Sequence, residues 1–324
     1  MTGSVTTRDV AELAGVSIAT VSRVFNQKSN VSHRTKAAVM HAADTLGYHS
    51  TESDDSKQAT DKFIVIVPDF TKTAELLTGI ELAAVKYGKF AVILSEELCD
   101  VTGFALTDAM TMFRGAGILI CGDKMPRETI MSLAEYPLIV AGSAVSGVNS
   151  VGTDDYAAAE DAVSYLCGAG HKRVGLFTAS HKTVGIIHRD EGYRDALHRH
   201  GLPYDESLTY IYDETDEYAS GARGLAYFET LPNPPTAVFA VSDTVCAGAM
   251  SAIKTGTAKE VSLFGFENNR SIAAANFSIV EKCMRDRGYN AASRLFQQIT
   301  DACTMTKDTM PVRTIIPHSL VIKK

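Results

Sequence analysis

From Phe63 onward the chain alternates short β-branched runs with longer amphipathic ones, and no other feature limits its fold so tightly. FIVIVPD, KFAVILSEE, AGILICGD and PLIVAGS have the length and side chains of strands, while AELLTGIELAAVKYG, TGFALTDAMTMFRG and RETIMSLAEY have helical spacing. A second set repeats the scheme. KRVGLFT, LTYIY, TAVFAVSD and EVSLFGF read as strands, and HRDEGYRDALHRHG, EYASGARGLAYFETL and TVCAGAMSAIKTG read as helices. Repeated βα alternation builds doubly wound parallel sheets covered by helices on both faces, and two sets build two such lobes. Sheets of this kind bind ligands outside the carboxyl ends of their strands, so two facing lobes predict a small-molecule cleft between them.

The first 49 residues follow another pattern, that of an all-α head. Thr6 with Asp9 three residues later is a capping-box-like start, followed by Val10, Leu13 and Ala14 on one apolar face and Gly15 as a stop. Ser17 caps a second helix, IATVSRVFN, in which Val21, Val24 and Phe25 recur at helical spacing while Ile18, Ala19, Ser22 and Arg23 fall on the other side. Ser32 caps a third, with Ala38, Val39, Ala42, Ala43 and Leu46 as its buried stripe and Gly47 at its end. Two helices joined at a Gly turn and closed by a third describe a helix-turn-helix, although a bundle that merely packs has the same spacing.

Charge divides the chain in the same places. The head holds five Lys/Arg against three Asp/Glu, whereas the whole chain carries a net charge of -7. Residues 50–62, STESDDSKQATDK, have Ala59 as their one aliphatic side chain and four acids against two bases, which marks an acidic polar linker without a core. The expected division is therefore a head at 1–49, a linker at 50–62 and a two-lobed body at 63–324.

At 324 residues, with 45% hydrophobic and 21% charged side chains, the composition is that of a soluble protein of two or three domains. No apolar run approaches the roughly 18 residues of a membrane span, and MTGSVTTRDVAELAG lacks the pattern of a signal peptide, so a cytoplasmic location without a membrane partner is expected. The six cysteines are scattered, with no CxxC and no His partner at ligand spacing, and no metal or cofactor is expected. GxGxxG after the first strand, GxxxxGK[ST], GxSxG and HExxH are all missing, which argues against an enzyme.

TTRDVAELAGVSIATVSRVFN followed by VSHRTKAAVMHAADTLGY closely resembles the DNA-binding head of the lactose-repressor (LacI/GalR) family at nearly every position from Thr6 to Tyr48. The resemblance implies a recognition helix in the major groove of double-stranded operator DNA, with Ile18, Ala19 and Arg23 reading base edges. Arg23 can pair with a guanine through two hydrogen bonds, while Ile18 and Ala19 offer apolar contact to a thymine methyl. Thr6, Ser17, Thr20, Ser22 and Asn26 suit phosphate contacts, with helix capping as their structural alternative and both roles expected of Ser17.

The body resembles the same family through VPD, SVGTDDYAAA, YLCGAGHKRVGLFT, GYRDAL, SDTVCAGAM and VSLFGFEN, in that order. That family's body is similar to periplasmic sugar-binding proteins, with three crossovers between lobes. Residues near 284–305 are thus expected to return to the first lobe, and the last strand, VRTIIPHSLVIKK, to complete the other. The resemblance carries effector contacts to Phe70, Thr71, Ser143, Arg189, Asp243 and Glu267. An Arg189 fork and an Asp243 acceptor on opposite sides of a cleft would suit a polyhydroxylated or anionic effector of the sugar or phosphosugar class. Asp243 also starts a helix and can serve as its cap. Ser143, where many members have aspartate, and Glu267 with Asn268 depart from the family pattern.

GLPYDESLTYIYDETDEYASG and GYRDALHRHG add some resemblance to the catabolite control protein branch, whose co-activator is a phosphorylated carrier protein. Asp286, Arg287 and Arg294 are the side chains that could meet it, against a solvated or dimer-interface face. After LGY the family usually has PNxxARxL, a hinge helix whose leucine wedges into the minor groove. This chain has Ser50 and Thr51 for Pro-Asn, Asp55 for Arg and Lys57 for Leu, so the wedge is missing and a flexible tether with weaker, less bent operator binding is expected. The combined reading is a homodimeric, effector-modulated DNA-binding regulator acting as a repressor in carbohydrate metabolism. A catabolite-control-type regulator, or a small-molecule sensor with weakened DNA binding, is the alternative.

Overall fold

The computed structural model describes residues 6–25, 33–46, 61–68, 70, 72–97, 106–266, 276–301 and 310–323. Nearly all of the 50–62 linker, the caps at Ser32 and Gly47, Cys99 and Cys303, and the site candidates Asn26, Thr71 and Glu267 lie outside them. The chain forms two compact units, Met1–Ala59 and Thr60–Lys324.

In the first unit α1 (Thr7–Ala14), α2 (Ile18–Phe25) and α3 (His33–Leu46) close over Val10, Ala11, Val21, Val24, Val39, Ala42 and Ala43. Gly15 ends α1 at φ 64, where a glycine pays no Cβ penalty, and its N–H bonds back to Glu12. Two stripe positions differ from the sequence reading. Leu13 is 52% exposed and Ala38 is exposed, because the inner face of α1 passes through Val10 and Ala11 and that of α3 through Val39, Ala42 and Ala43.

The second unit is two parallel α/β lobes. The N-terminal lobe contains β1 (Lys62–Val67), α4 (Ala74–Tyr87), β2 (Phe90–Ser95), α5 (Leu106–Phe113), β3 (Ile118–Cys121), α6 (Arg127–Ser132), β4 (Leu138–Ala141) and β5 (Asn149–Gly152). The chain then crosses to α7 (Asp155–Gly168), β6 (Val174–Ala179), α8 (Val184–Arg199), β7 (Thr209–Tyr212), α9 (Glu217–Glu229), β8 (Ala237–Ala240), α10 (Asp243–Lys254), β9 (Ser262–Phe266) and β10 (Ser278–Glu281). It returns with α11 (Met284–Asp301) and β11 (Arg313–Ile315) and crosses a last time to β12 (Ser319–Val321).

The two sheets run β11-β5-β4-β3-β1-β2 and β12-β10-β9-β8-β6-β7. All pairs are parallel except β10 with β12. β1 and β3, like β6 and β8, are buried along their whole apolar runs because helices cover both faces. In each lobe the strand order reverses beside the first strand, which opens a crevice at the carboxyl ends of β1 and β3 and of β6 and β8.

The return of α11 to the N-terminal lobe agrees with the sequence reading. It packs along α4 through paired glycines: a Cβ on Gly79 would meet the Arg285 carbonyl oxygen at 1.9 Å, and one on Gly288 the Leu76 carbonyl oxygen at 2.1 Å. The final segment does not complete a single lobe. VRTIIPHSLVIKK is split at Pro317, which supplies no backbone N–H, so β11 joins the N-terminal sheet at β5 and β12 joins the other at β10. The crossings thus fall at 152–155, 281–284 and 315–319, and the second holds Cys283 in the left-handed region at φ 47.

Candidate nucleic-acid interface and ligand cleft

On the head, the outward face of α2 follows from its inward one. Val21 and Val24 are buried, which leaves Ile18, Ala19, Ser22 and Arg23 exposed on the opposite side of the helix. Ser17 caps it: the Thr20 backbone N–H donates to Ser17 Oγ at 3.1 Å, and the two hydroxyls lie 2.8 Å apart. Thr6 donates from its backbone N–H and hydroxyl to Asp9 Oδ2 at 2.7 and 2.8 Å. The backbone and then the side-chain bond from Thr6 hold the Asp9 carboxyl below the usual carboxylate range. One solvent-facing helix face with an arginine and small side chains is the shape that enters a major groove.

In the body, the residues that follow the strands gather in the crevice. From the N-terminal lobe come Phe70 and Lys72 after β1, Asp123 after β3 and Ser143 after β4. From the other lobe come Gly185 and Arg189 on α8, Glu217 at the start of α9, and Ser242 and Asp243 after β8. Arg189 and Asp243 therefore do not face each other across the cleft. Both belong to the C-terminal lobe, at 5% exposure each, and Arg189 reaches toward the segment just before Asp243, where Nη1 donates to the Val241 carbonyl at 2.8 Å. The α10 cap position falls to Ser242, and Asp243 is the first helical residue.

A buried charge cluster forms the floor where two crossings meet. Asp155 Oδ1 lies 3.4 Å from Arg189 Nη2 and 3.8 Å from Lys282 Nζ, with all three side chains under one-tenth exposed. The Arg189 guanidinium sits 4.1 Å from the Phe266 ring centroid, and the Lys282 ammonium 5.7 Å from the same ring. Such a cluster is held together by mutual pairing, because any member left alone in this interior would bear the full cost of desolvation.

Among the described residues, contacts that span the lobes include these. Lys72 Nζ pairs with Glu217 Oε1 at 3.5 Å, and the other Glu217 oxygen accepts from Ser242 Oγ at 2.9 Å. Elsewhere Asp123 takes the Ser143 backbone N–H on Oδ1 and turns Oδ2 toward Gly185 of the opposite lobe. Ser143 Oγ is buried there without a hydrogen-bond partner, and Phe70 is half exposed. Lys72, Asp123, Asp155, Gly185, Glu217 and Lys282 were not singled out from sequence. They lie in the segments that follow β1, β3, β5, β6, β7 and β10, with only Lys282 immediately after its strand and Gly185 already inside α8, so sequence marks the segment and not the residue.

Arg287 departs from expectation. It is 4% exposed and donates to the Ala141 carbonyl at 2.8 Å, so it forms neither a solvated face nor a surface for a carrier protein. Among the described cysteines Cys121, Cys167 and Cys246 are buried and free, and Cys283 is partly buried and free.

A helix-turn-helix head on a two-lobed α/β body with a crevice at its strand ends is the architecture of ligand-regulated transcription factors. Residues 6–51 match the family described as bacterial regulatory proteins, lacI family, and residues 60–324 match the periplasmic binding proteins and sugar binding domain of LacI family. The chain belongs to the lacI family of bacterial transcriptional regulators. It is 31% identical to the HTH-type transcriptional repressor CytR of Escherichia coli K12 over 81% of this chain and 80% of that one. It is 28% identical to catabolite control protein A of Priestia megaterium over 99% of both. Among solved structures, the transcriptional regulator CelR in complex with cellobiose matches over 98% of this chain and 99% of that one, with a TM-score of 0.68 and 25% identity.

Proposed function

We propose that the chain is a homodimeric repressor acting at operator DNA in the cytoplasm, released from or fixed to its site by a small polyhydroxylated effector, a sugar or phosphosugar, held between the lobes. The exposed face of α2 carries this reading. Ile18, Ala19 and Arg23 meet base edges there, while Thr6, Ser17, Thr20 and Ser22 meet phosphates. Phe70 and Ser143 on one side and Arg189 and Asp243 on the other contribute the effector contacts. The similarity to a regulator solved with cellobiose supports the sugar class.

Dimerisation is supported by exposed apolar side chains on the outer strands and helices of both lobes. Val85 is 75%, Phe90 68% and Ile211 60% exposed; Leu82 and Ile93 extend the first two elements, and Tyr218 is exposed on α9. Side chains of this kind on edge strands are stabilised by a second copy, and two heads on a two-fold axis require a palindromic operator. Arg287, buried under Ala141, weakens the alternative of a phosphorylated carrier-protein partner.

The test is a gel shift of full-length protein on duplexes from the region upstream of its own gene. It is run at low salt with and without cellobiose, other mono- and disaccharides, and hexose phosphates. A midpoint that moves with one sugar, and fails to move in Arg189→Ala, is expected. Operator binding indifferent to the whole set would refute the sugar effector.

A further inference from the structure

α8 begins where the lobes meet. Thr183 caps it, and the second helical residue is Gly185, fully enclosed at the interface. A Cβ built on Gly185 would lie 2.9 Å from Asp155 Oδ2, 3.2 Å from Asp123 Oδ2 and 3.5 Å from Ser143 Oγ. Asp155 shares a lobe with Gly185, but Asp123 and Ser143 stand at the carboxyl ends of β3 and β4 in the other lobe. Gly185 therefore leaves room for three side-chain ends, the nearest from Asp155 of its own lobe and the next two from Asp123 and Ser143 of the other.

Its φ is not in the left-handed region, so backbone freedom does not explain a glycine here, and space does. The charge arrangement favours the same contact. The first turn of α8 carries the positive end of its dipole, with the Ile186 N–H already capped by Thr183 Oγ1, and Asp123 brings a carboxylate near it from the opposite lobe. The Lys72–Glu217 pair joins the lobes at a second point.

We propose that Gly185 is the positioning residue for lobe closure: it sets how near the Asp123 side of the N-terminal lobe can approach α8, and with it the lobe arrangement that the effector selects. The proposal rests on the reading of the cleft as the effector site, but its test does not require the effector. A side chain at 185 acts as a wedge, and removing the carboxylate it strikes takes the wedge's purchase away.

The experiment places spin labels through bio-orthogonal side chains at Glu128 on α6 and Glu191 on α8, both exposed and one per lobe, in the full-length protein. Pulsed electron–electron distances are then compared for wild type, Gly185→Ala, Asp123→Ala and the double variant. Gly185→Ala should shift the distribution to longer distance, and Asp123→Ala in the same chain should return it toward the wild-type value. An unchanged distribution in Gly185→Ala, or a lengthening that Asp123→Ala leaves in place, overturns the proposal. The second outcome would trace the effect to Asp155, inside one lobe. If the distances behave as expected while no sugar alters operator binding, the closure device stands and the effector class falls.

Discussion

Cys121 ends β3 with its thiol wholly inside the N-terminal lobe, and burial pushes its pKa from 9.0 up to about 12, against a smaller opposing pull from Arg287. The folded state keeps the thiol neutral where the unfolded chain would ionise it. The stability this represents is complete below pH 9 and is lost progressively as pH rises toward 12, because the unfolded state then binds fewer protons. Urea unfolding of wild type and Cys121→Ala between pH 8 and 11 should show the wild type losing stability more steeply, by up to about 1.4 kcal/mol for each pH unit above 9. Parallel slopes would mean that the thiol titrates normally in the fold. At this scale sequence was informative about residue type and weak on direction. Arg189 and Asp243 were recognisable as cleft residues, but the lobe that each serves depends on chain crossings. Leu13 and Ala11 share the helical spacing of α1, and only packing against α2 and α3 shows that the small side chain is the inner one.

The helices show how the body is assembled. α4 and α11 lie 200 residues apart in sequence and approach closely enough that each offers a glycine to the other's backbone. A methyl at Gly79 has a carbonyl oxygen 1.9 Å away, which backbone movement alone can relieve. Gly79→Ala should cost about 1–3 kcal/mol in urea unfolding, the range for overpacking, while Gly168→Ala, where no atom lies within 4 Å and φ is not positive, should cost little. Equal losses at the two sites would contradict close packing as the cause.

The elements legible in sequence were those with long β-branched runs or a polar face. β5, reading NSVG, carries one β-branched residue in four positions and did not stand out; β10, reading SIVE, has two but spans only four residues. α7, DYAAAEDAVSYLCG, buries one face built largely of alanines, while Tyr156, Ala157 and Tyr165 lie on the other, so its apolar contrast is weak. Pro317 was the visible sign that the last segment would divide, and its meaning becomes clear only with two sheets to divide between.

For the whole molecule, function depends on two units of opposite character: a head with more bases than acids and a body carrying the acidic excess. Neither would grip DNA strongly by charge alone, and on the proposed reading specificity comes from the α2 face, doubled by a second copy. Both the helix-turn-helix and the two lobes were readable in sequence because their patterns are local. The contacts that join the lobes were not, since Lys72 with Glu217 and Asp123 with Gly185 are pairings between distant segments that periodicity does not register.

On the proposed function, α2 reads a specific sequence. Fluorescence anisotropy of full-length protein on a palindromic duplex from upstream of its own gene, beside a shuffled duplex of equal length, tests it at a series of salt concentrations. Wild type should favour the upstream duplex, and the preference should shrink by about 1–3 kcal/mol per half-site in Arg23→Ala while affinity for the shuffled duplex changes little. Equal affinity of the wild type for both duplexes at every salt concentration, or a preference that survives Arg23→Ala intact, would contradict the account.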